Sequence, residues 1–381
     1  MEWNNDDKIN LPQTIMTTKQ VEKTHKGLSF PLIFTKLCDF SDLGLMLIAP
    51  TDKGKSAILL SQAKQPLQHR TVLKVGVVTF KGLKKIADRL TDNKTTIINH
   101  DLSRLYTDYL KDVVINVFSQ LLYDHALDEM HSAQYDLEIH NAYISFLTGV
   151  QPQMYHSISK LATFESMYKT RFIRLFLFCP FGKPQYKKYH PHIKDITWES
   201  QAWDLTELKP EFYRNKDYQR LLHLLRWHIS EGRGMDYLDR LLKASARYNN
   251  RLFVTESDIK YLTLLIPYLA MEKWTSKRMY GAAKPLVFDD DAYTLFYYIT
   301  ERQQVKKTDM RRDFQMSMTT INNNLKPLIG VKLIKGKFGT TQFTLHPSFT
   351  NRYITPLQSF VEFCGVQPKE QQKITKYGEE K

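Results

Sequence analysis

Residues 49–56 read Ala-Pro-Thr-Asp-Lys-Gly-Lys-Ser and connect the apolar run 43–48 to a second apolar run that begins at Ala57. A strand, a glycine-containing loop and a helix in that order turn several backbone N–H groups toward one anion. Lys55 can then reach the terminal phosphates of a nucleotide, and the Ser56 hydroxyl can bind Mg²⁺. The spacing matches the phosphate-loop pattern GxxxxGK[ST], except that Ala49 replaces the first glycine. A lysine-rich surface turn is the alternative, but it does not explain the apolar run on each side.

This loop predicts ATP and Mg²⁺ as ligands, and its chemistry also needs a carboxylate near the metal. Residues 94–98 read as a strand, and Asn99, His100 and Asp101 follow it. Asp101 is our candidate for the acid that holds Mg²⁺. The alternative, in which His100 occupies the metal position and Asp101 orients the attacking water, is left open. Asp101 as the N-cap of a helix is the structural alternative. The loop residues expected to contact the nucleotide are Ala49, Thr51, Asp52, Lys53, Gly54, Lys55 and Ser56.

Further candidates lie later in the α/β pattern. Thr148 ends the apolar run 142–148 and could contact the γ phosphate at the carboxyl end of a central parallel strand, although a purely structural threonine is as common there. Alternating or periodic apolar residues predict strands at 71–78 and 171–178, helices at 80–90 and 108–127, and a hairpin near 131–136. We therefore expect an α/β core over 28–180, preceded by a polar arm over 1–27 that is either flexible or clasps the core.

Composition restricts the partners. The chain has 381 residues, 42% of them hydrophobic, and a formal net charge of +14, which favours a polyanion. Nucleic acid is favoured over a membrane because no apolar run approaches the about 20 residues that span a bilayer. The N-terminus lacks the pattern of a signal peptide, so we expect a cytoplasmic protein. The 3 cysteines lie far apart and predict buried thiols, with neither a disulfide framework nor a zinc cluster.

The order of these features resembles a known family. A phosphate loop at 49–56, an acid-ended strand at 95–101, a polar-ended strand at 142–148 and Arg171-Phe172 before the last strand resemble AAA+ and related additional-strand P-loop ATPases, especially replication-associated ATPases of viruses and plasmids. The resemblance covers roughly residues 28–180. It implies that Arg171, or else Arg174, is an arginine finger that reaches the nucleotide of a neighbouring subunit in a ring or filament.

Residues 181–284 are predicted to hold a basic loop and a helical lid. Lysines, tyrosines and histidines alternate over 183–192 and could bind single-stranded nucleic acid, although an exposed connector is the favoured interpretation. His190 and His192 have no further ligand nearby that would complete a zinc site. The helical stretches from 218 to 274 resemble the lid of the AAA+ group, where Arg247 or Arg251 could contact nucleotide.

Residues 285–350 predict three helices and a β-hairpin, the order of a winged helix-turn-helix. Its third helix would enter the major groove of DNA, and its hairpin would lie on the backbone; protein contact is the alternative use. A C-terminal helix and charged tail would follow over 351–381. The predicted DNA contacts are Arg311, Arg312, Thr319, Thr320, Asn322, Asn323, Asn324, Lys326, Lys335 and Lys337.

The whole chain is therefore expected to be an α/β protein with a P-loop NTPase core and mainly parallel sheet, a helical lid and a C-terminal winged helix-turn-helix. We expect a homo-oligomeric ATPase that acts on single- or double-stranded DNA, as a replicative helicase or replication initiator. A non-hydrolysing regulator switched by nucleotide and a packaging or transposition motor are the alternatives.

Overall fold

A computed structural model describes residues 2–64, 70–76, 80–102, 108–132, 135–159, 169–178, 208–276, 290–302, 304–336 and 342–366. The basic loop at 183–192, Cys179, Lys337 and the charged tail lie outside these ranges, so the predictions made for them stay predictions.

A five-stranded parallel sheet forms the centre of the N-terminal half. Its strands are β1 (Gly44–Ile48), β2 (Thr71–Lys74), β3 (Lys94–Asn99), β6 (Tyr143–Val150) and β7 (Phe172–Phe176), while β4 (Leu127–Ser132) and β5 (Tyr135–Ile139) form a separate hairpin. The order across the sheet is β2-β3-β6-β1-β7. Strands β1 and β7 are buried along their whole length, as their nearly continuous apolar sequences predict for a parallel sheet covered on both faces.

Helices follow most strands, which confirms the expected α/β alternation. They are α3 (Ser29–Phe40), α4 (Lys55–Lys64), α5 (Phe80–Leu90), α6 (Asp108–Asp124), α7 (Pro152–Ser159) and α8 (Lys169–Arg171). A buried polar network ties α3 to the sheet: Asp39 accepts hydrogen bonds from Thr96 at 2.7 Å and from Ser145 and Gln62. Arg70 lies 3.3 Å from the same carboxylate, which compensates the buried charge.

The helical unit consists of α9 (Lys216–His228), α10 (Glu231–Tyr248), α11 (Glu256–Leu262) and α12 (Ile266–Ser276). Helix α10 packs on α3, and α12 packs on β7. These contacts place the described part of the unit beside the sheet, and its predicted role as a lid that follows the core stays a prediction. Amphipathic periodicity identified the helices but carried no information about which face of the sheet they cover.

The C-terminal region contains α13 (Asp290–Arg302), α14 (Lys307–Phe314) and α15 (Met318–Gly330), then α16 (Pro347–Phe349) and α17 (Thr355–Phe363). Its strands β8 (Gln304–Lys306), β9 (Ile334–Lys335) and β10 (Gln342–Leu345) form an antiparallel sheet of order β8-β10-β9. The three predicted helices and the hairpin strands are present. Strand β8 was not predicted, because three residues are too short to show an alternating pattern.

The N-terminal arm packs on distant parts of the chain, which agrees with the clasping alternative and not with a flexible arm. It forms α1 (Asn5–Asn10) and α2 (Pro12–Thr24). Thr14 and Asn249 exchange two hydrogen bonds of 3.0 Å, and Asp7 forms a 2.6 Å ion pair with Lys260. The Trp3 ring lies 4.6 Å from Phe360 of α17. Polar composition suggested a solvated arm because these partners lie more than two hundred residues away in sequence.

A buried ionic cluster joins β7 to the helical unit. The Arg174 guanidinium contacts Glu272 through Nε at 2.6 Å and Nη2 at 3.1 Å, and Glu272 lies 2.5 Å from Nδ1 of His228. The backbone N–H of Arg174 donates to Nε2 of His228 at 2.9 Å. Since Nε2 accepts that hydrogen bond, the imidazole is neutral. Burial and the nearby Arg174 charge lower the pKa of His228 to about 4. The Glu272 carboxylate raises this pKa, but its effect is smaller.

This cluster predicts that the protein loses stability in mild acid. The pKa of His228 is lower in the folded protein than its ordinary 6.5, so the unfolded chain binds more protons between about pH 6.5 and 4. The free energy of unfolding should therefore fall as pH falls through that window, measured by urea denaturation. His228→Gln should show a shallower pH dependence than the unmodified protein, and equal slopes would contradict the assignment.

Candidate functional site

The phosphate loop has the predicted geometry of a strand, a bend and a helix. Strand β1 ends at Ile48 and helix α4 begins at Lys55. Asp52 and Gly54 have φ angles of +59° and +96°, in the left-handed region, and at Gly54 glycine is the residue that adopts this conformation without strain. The first N–H groups of α4 have no acceptor within their own helix, so they face the bend at the positive end of the helix dipole.

Lys55 lies inside this bend. Its side chain is buried, and Nζ donates hydrogen bonds to the Pro50 carbonyl at 2.6 Å and to the Ala49 carbonyl. Ser56, the next residue of α4, is exposed, as are Thr51 and Asp52. The bend therefore combines a held ammonium group with an accessible hydroxyl, the pair that a magnesium–triphosphate complex requires.

Asp101 lies at the same sheet edge as the loop, but its strand is not the direct neighbour of β1. Strand β6 lies between them, pairing Ile48 with Val150 on one side and Asn99 with Thr148 on the other. Neighbouring strands are about 4.8 Å apart, so β3 lies about 10 Å from β1. The carboxyl ends of all three strands point the same way, which brings Asp101 and Lys55 to one edge.

Asn99 holds the segment that carries Asp101, a role that the sequence did not reveal. Its buried Oδ1 accepts a 3.0 Å hydrogen bond from the Asp101 N–H, and its Nδ2 donates to the Gly76 carbonyl at 2.9 Å. This is the local turn that asparagine side chains commonly form. The position of Asn99 directly after an apolar strand was the signal available in the sequence. Only the pairing of β2 with β3 shows which groups the Asn99 side chain bonds to. His100 is half-buried beside it.

Thr148 does not lie at the sheet edge. It is fully buried, level with Met46 and Asn99 in the strand register, and its Oγ1 makes no hydrogen bond. Strand β6 continues two residues beyond it, because Val150 still pairs with Ile48. Gln151 directly follows Val150 and stands level with Ala49, whose N–H donates to the Val150 carbonyl at 3.2 Å. The first polar residue after the end of this strand is therefore Gln151, which the sequence prediction missed by assigning the strand end too early.

Neither candidate arginine lies at the loop edge of the sheet: Arg171 precedes β7 at the opposite edge, and Arg174 lies in the middle of β7, level with Met46. Phe172 pairs with Gly44 at the start of β1, so Arg171 precedes the amino-terminal edge. Arg171 is half-buried, and its guanidinium lies 5.5 Å from the Tyr123 ring. Arg174 is buried in the Glu272 cluster and is not available to a neighbouring subunit. Arg251 is likewise occupied, 2.6 Å from Asp258, and Arg247 lines a cleft at the amino-terminal edge, away from the loop.

The residues predicted to contact DNA differ in how exposed their side chains are. Thr319, Asn323 and Lys326 are exposed and share one face of α15, since they follow a spacing of four and three residues. Asn324 is buried on the opposite face, so its predicted base contact is wrong. Thr320 takes part in the cap of α15, where its N–H donates to Ser317 Oγ at 3.1 Å.

The remaining candidates are surface groups with different environments. Arg312 donates to Asp313 at 2.8 Å and lies 3.6 Å from Asp309, so its charge is partly neutralised. Asn322 is half-buried, and its Oδ1 makes no hydrogen bond. Arg311 and Lys335 are exposed.

Two further expectations concern cysteines and membranes. Cys38 and Cys364 are buried free thiols, as predicted, and burial raises the pKa of each. Within the described ranges there is no group of three metal-binding side chains of the His, Cys, Asp and Glu type. Nor does any helix in the part of the chain that the structure covers have the length and apolar character needed to cross a membrane.

Comparison with known proteins adds little. No protein-family model matches the chain, and no sequence of a characterised protein matches it. The apo A form of the NrS-1 C-terminal region covers 91% of this chain and 76% of that chain at 11% identity, with a TM-score of 0.27. The Aeropyrum pernix ORC2 protein, solved as ADPNP–ADP complexes, covers 86% of this chain and 89% of that chain at 13% identity, with a TM-score of 0.26. Likeness this low supports no functional argument, so the proposals below rest on this chain's own residues.

The contact between β6 and the segment after β3 predicts a sensitive position at Gly149. A Cβ there would lie 2.7 Å from the His100 carbonyl oxygen, a backbone atom that cannot rotate away. We expect Gly149→Ala to lower the free energy of unfolding by about 1–3 kcal/mol, because β6 or the Asp101 segment must shift. Gly76→Ala is the matched control, since its Cβ would meet open space. Equal stability of the two variants in urea denaturation would refute the close approach.

Proposed function

We propose that this protein is a nucleotide-hydrolysing P-loop ATPase that acts on DNA. The observation that carries the proposal is the carboxyl edge of the sheet, where the bend with Gly54 and Lys55 faces the Asp101 segment with one strand, β6, inserted between them. An extra strand between the loop strand and the acid strand is the feature that gives the additional-strand ATPases their name. The match in strand order supports that assignment independently of sequence similarity.

The residues at this edge fit a magnesium–ATP complex. Gly54 allows the backbone to curve around phosphate oxygens, and the Lys55 ammonium, already inside the bend, can exchange its carbonyl contacts for the β and γ phosphates. The Ser56 hydroxyl and the Asp101 carboxylate would hold Mg²⁺, which supplies charge neutralisation at the transferred phosphoryl group. Asn99 holds the N–H of Asp101, and Gln151, the first residue after β6, is our candidate for a contact with the γ phosphate or the attacking water.

We propose that a second copy of the chain supplies further positive charge for hydrolysis. Phosphoryl transfer depends on positioning and on positive charge around the transferred group. Arg171 lies at the amino-terminal edge of the sheet, so it cannot reach the loop of its own chain but can reach that of a neighbour. We therefore propose a head-to-tail homo-oligomer, as a ring or filament, in which Arg171 is the arginine finger.

The C-terminal region supports DNA as the partner. Three helices with a three-stranded antiparallel sheet of order β8-β10-β9 have the element order of a winged helix-turn-helix. Its third helix, α15, presents Thr319, Asn323 and Lys326 on one exposed face. We propose that this face contacts DNA and that the protein serves replication as a helicase or initiator. A packaging or transposition motor would use the same core.

A nucleotide-switched regulator that does not hydrolyse ATP is the second candidate. It is favoured by Ala49 at the first glycine position and by the single acid after β3. Multi-angle light scattering with ATP, combined with a phosphate-release assay, separates the two proposals. ATP-dependent assembly without phosphate release would favour the switch.

The phosphate-loop proposal predicts that Lys55→Ala abolishes DNA-stimulated ATP hydrolysis, because the ammonium that reaches the β and γ phosphates is lost. Phosphate release should fall to background. Lys64→Ala, an exposed lysine at the end of the same helix, is the control and should keep full turnover. Normal turnover in Lys55→Ala would place the nucleotide elsewhere.

The α15 proposal predicts that Lys326→Ala weakens binding to duplex DNA and makes the slope of log affinity against log salt shallower by about 1, as the loss of one phosphate contact requires. Fluorescence anisotropy over a salt series measures both quantities. Lys216→Ala removes an equal charge from an exposed position at the start of α9 and should change neither the affinity nor the salt slope. A salt slope unchanged by Lys326→Ala would remove α15 from the DNA interface.

A further inference from the structure

A basic cleft lies at the amino-terminal edge of the sheet, opposite to the phosphate loop. It has a volume of about 380 Å³ and lies between α10 and the residues that lead into β1 and β6. Helix α10 contributes Arg240, Lys243 and Arg247 to its wall, and the core contributes Tyr143 and His125. A 3.2 Å hydrogen bond from Ser41 Oγ to the Arg240 carbonyl fixes the helix against the core.

The basic residues form a row along α10 that extends beyond the cleft. Arg233, Arg240 and Arg247 are seven residues apart, and Lys243 lies between the last two on the same face. Arg233 and Arg247 are about four helical turns apart, which is about 21 Å. A row of that length is too long for one phosphate group and fits a chain of phosphates.

Acidic side chains near this row, among them Asp236 and the cleft residue Asp42, offset part of its charge. Asp236 accepts from Arg240 Nε at 3.0 Å on the exposed face of α10, and Asp42 is 2.5 Å from Arg70. Asp124 lies near Arg171. The guanidinium groups of Arg171 and Arg233 both lie over the Tyr123 ring. Burial and the Arg233 charge lower the pKa of Arg171, as expected where cations are held together. The four basic side chains of the row outnumber these acids, so an excess of positive charge remains.

Exposed aromatic rings accompany the charges. Tyr123 and Tyr143 are 54% and 42% exposed, although tyrosines of this chain such as Tyr248 and Tyr261 are fully buried. The rings of Tyr143 and His125 lie 4.7 Å apart at the mouth of the cleft, and the Tyr123 ring lies under Arg233 at 4.1 Å. Basic side chains along a groove, with aromatic rings between them, are the combination that holds the backbone and bases of single strands.

We infer that the α10 row and the cleft beside it bind single-stranded nucleic acid. Arg233, Arg240, Lys243 and Arg247 contact successive phosphates, and Tyr143 provides a ring on which a base stacks. This site is separate from the α15 face that we propose for duplex DNA, and it needs no bound nucleotide. It therefore stands or falls independently of the proposed ATPase activity.

The test measures binding of a fluorescein-labelled (dT)20 and of a 20-base-pair duplex by anisotropy, without nucleotide, over a salt series. The double variant Arg240→Ala/Lys243→Ala should bind (dT)20 about tenfold more weakly and lose about 1.4 from its salt slope, while its duplex affinity stays within about twofold. Arg214→Ala/Lys216→Ala removes the same side chains from an exposed surface near the start of α9 and should bind (dT)20 normally.

Stacking is tested separately at Tyr143. Tyr143→Ala should weaken (dT)20 binding about fivefold or more, whereas Tyr143→Phe, which keeps the ring, should bind like the unmodified protein. Urea denaturation of each variant checks that the fold is retained. We expect it to be retained because Tyr143 is exposed.

Several outcomes would overturn the inference. The inference fails if the unmodified protein does not bind (dT)20 or if Arg240→Ala/Lys243→Ala binds it with unchanged affinity. It also fails if Arg214→Ala/Lys216→Ala loses as much (dT)20 affinity as Arg240→Ala/Lys243→Ala. A loss of ATP turnover at constant (dT)20 affinity would instead assign the cleft to the nucleotide of a neighbouring subunit.

Discussion

The position of β6 between β1 and β3 controls how the proposed active edge is built. Because β6 separates the loop strand from the acid strand, the two halves of the site are held about 10 Å apart, a gap that a hydrated metal and phosphate groups can fill. The spacing depends on Gly149, where the His100 carbonyl approaches too closely to admit a side chain. Asn99 then fixes the turn that presents Asp101. The carboxylate proposed for catalysis is therefore positioned mainly by backbone packing and one amide side chain.

Two buried polar clusters fix what packs against this sheet. Asp39 and Arg70 bind α3 to β3 and β6, and Arg174 with Glu272 binds β7 to α12. Buried ion pairs contribute little net stability, since desolvation offsets much of their attraction, but removing one partner leaves an uncompensated charge. Such clusters therefore favour one docking of the helices over alternatives. This role explains why Arg174, attractive as a finger in the sequence, serves the interior instead.

Local patterns in the sequence predicted local structure well. The loop at 49–56, the strands around Ile48 and Phe172, and helices such as α5 and α15 follow from apolar periodicity and turn residues. What failed depends on partners distant in sequence: the packing of Trp3 on Phe360, the burial of Asn324 and the occupation of Arg251 by Asp258. Thr148 was misplaced for a related reason, because the end of β6 is set by pairing with β1 and not by its own residues.

The polarity of the sheet connects these parts into one functional argument. Nucleotide chemistry is proposed at the carboxyl edge, and Arg171 lies at the amino-terminal edge, so Arg171 is remote from the loop of its own chain and the proposed ring or filament would bring it to the loop of a neighbour. Within one chain, Lys53 of the loop lies 4.5 Å over the ring of Tyr297 in α13. A change in the loop on nucleotide binding would therefore act directly on the helix that begins the proposed DNA-binding region.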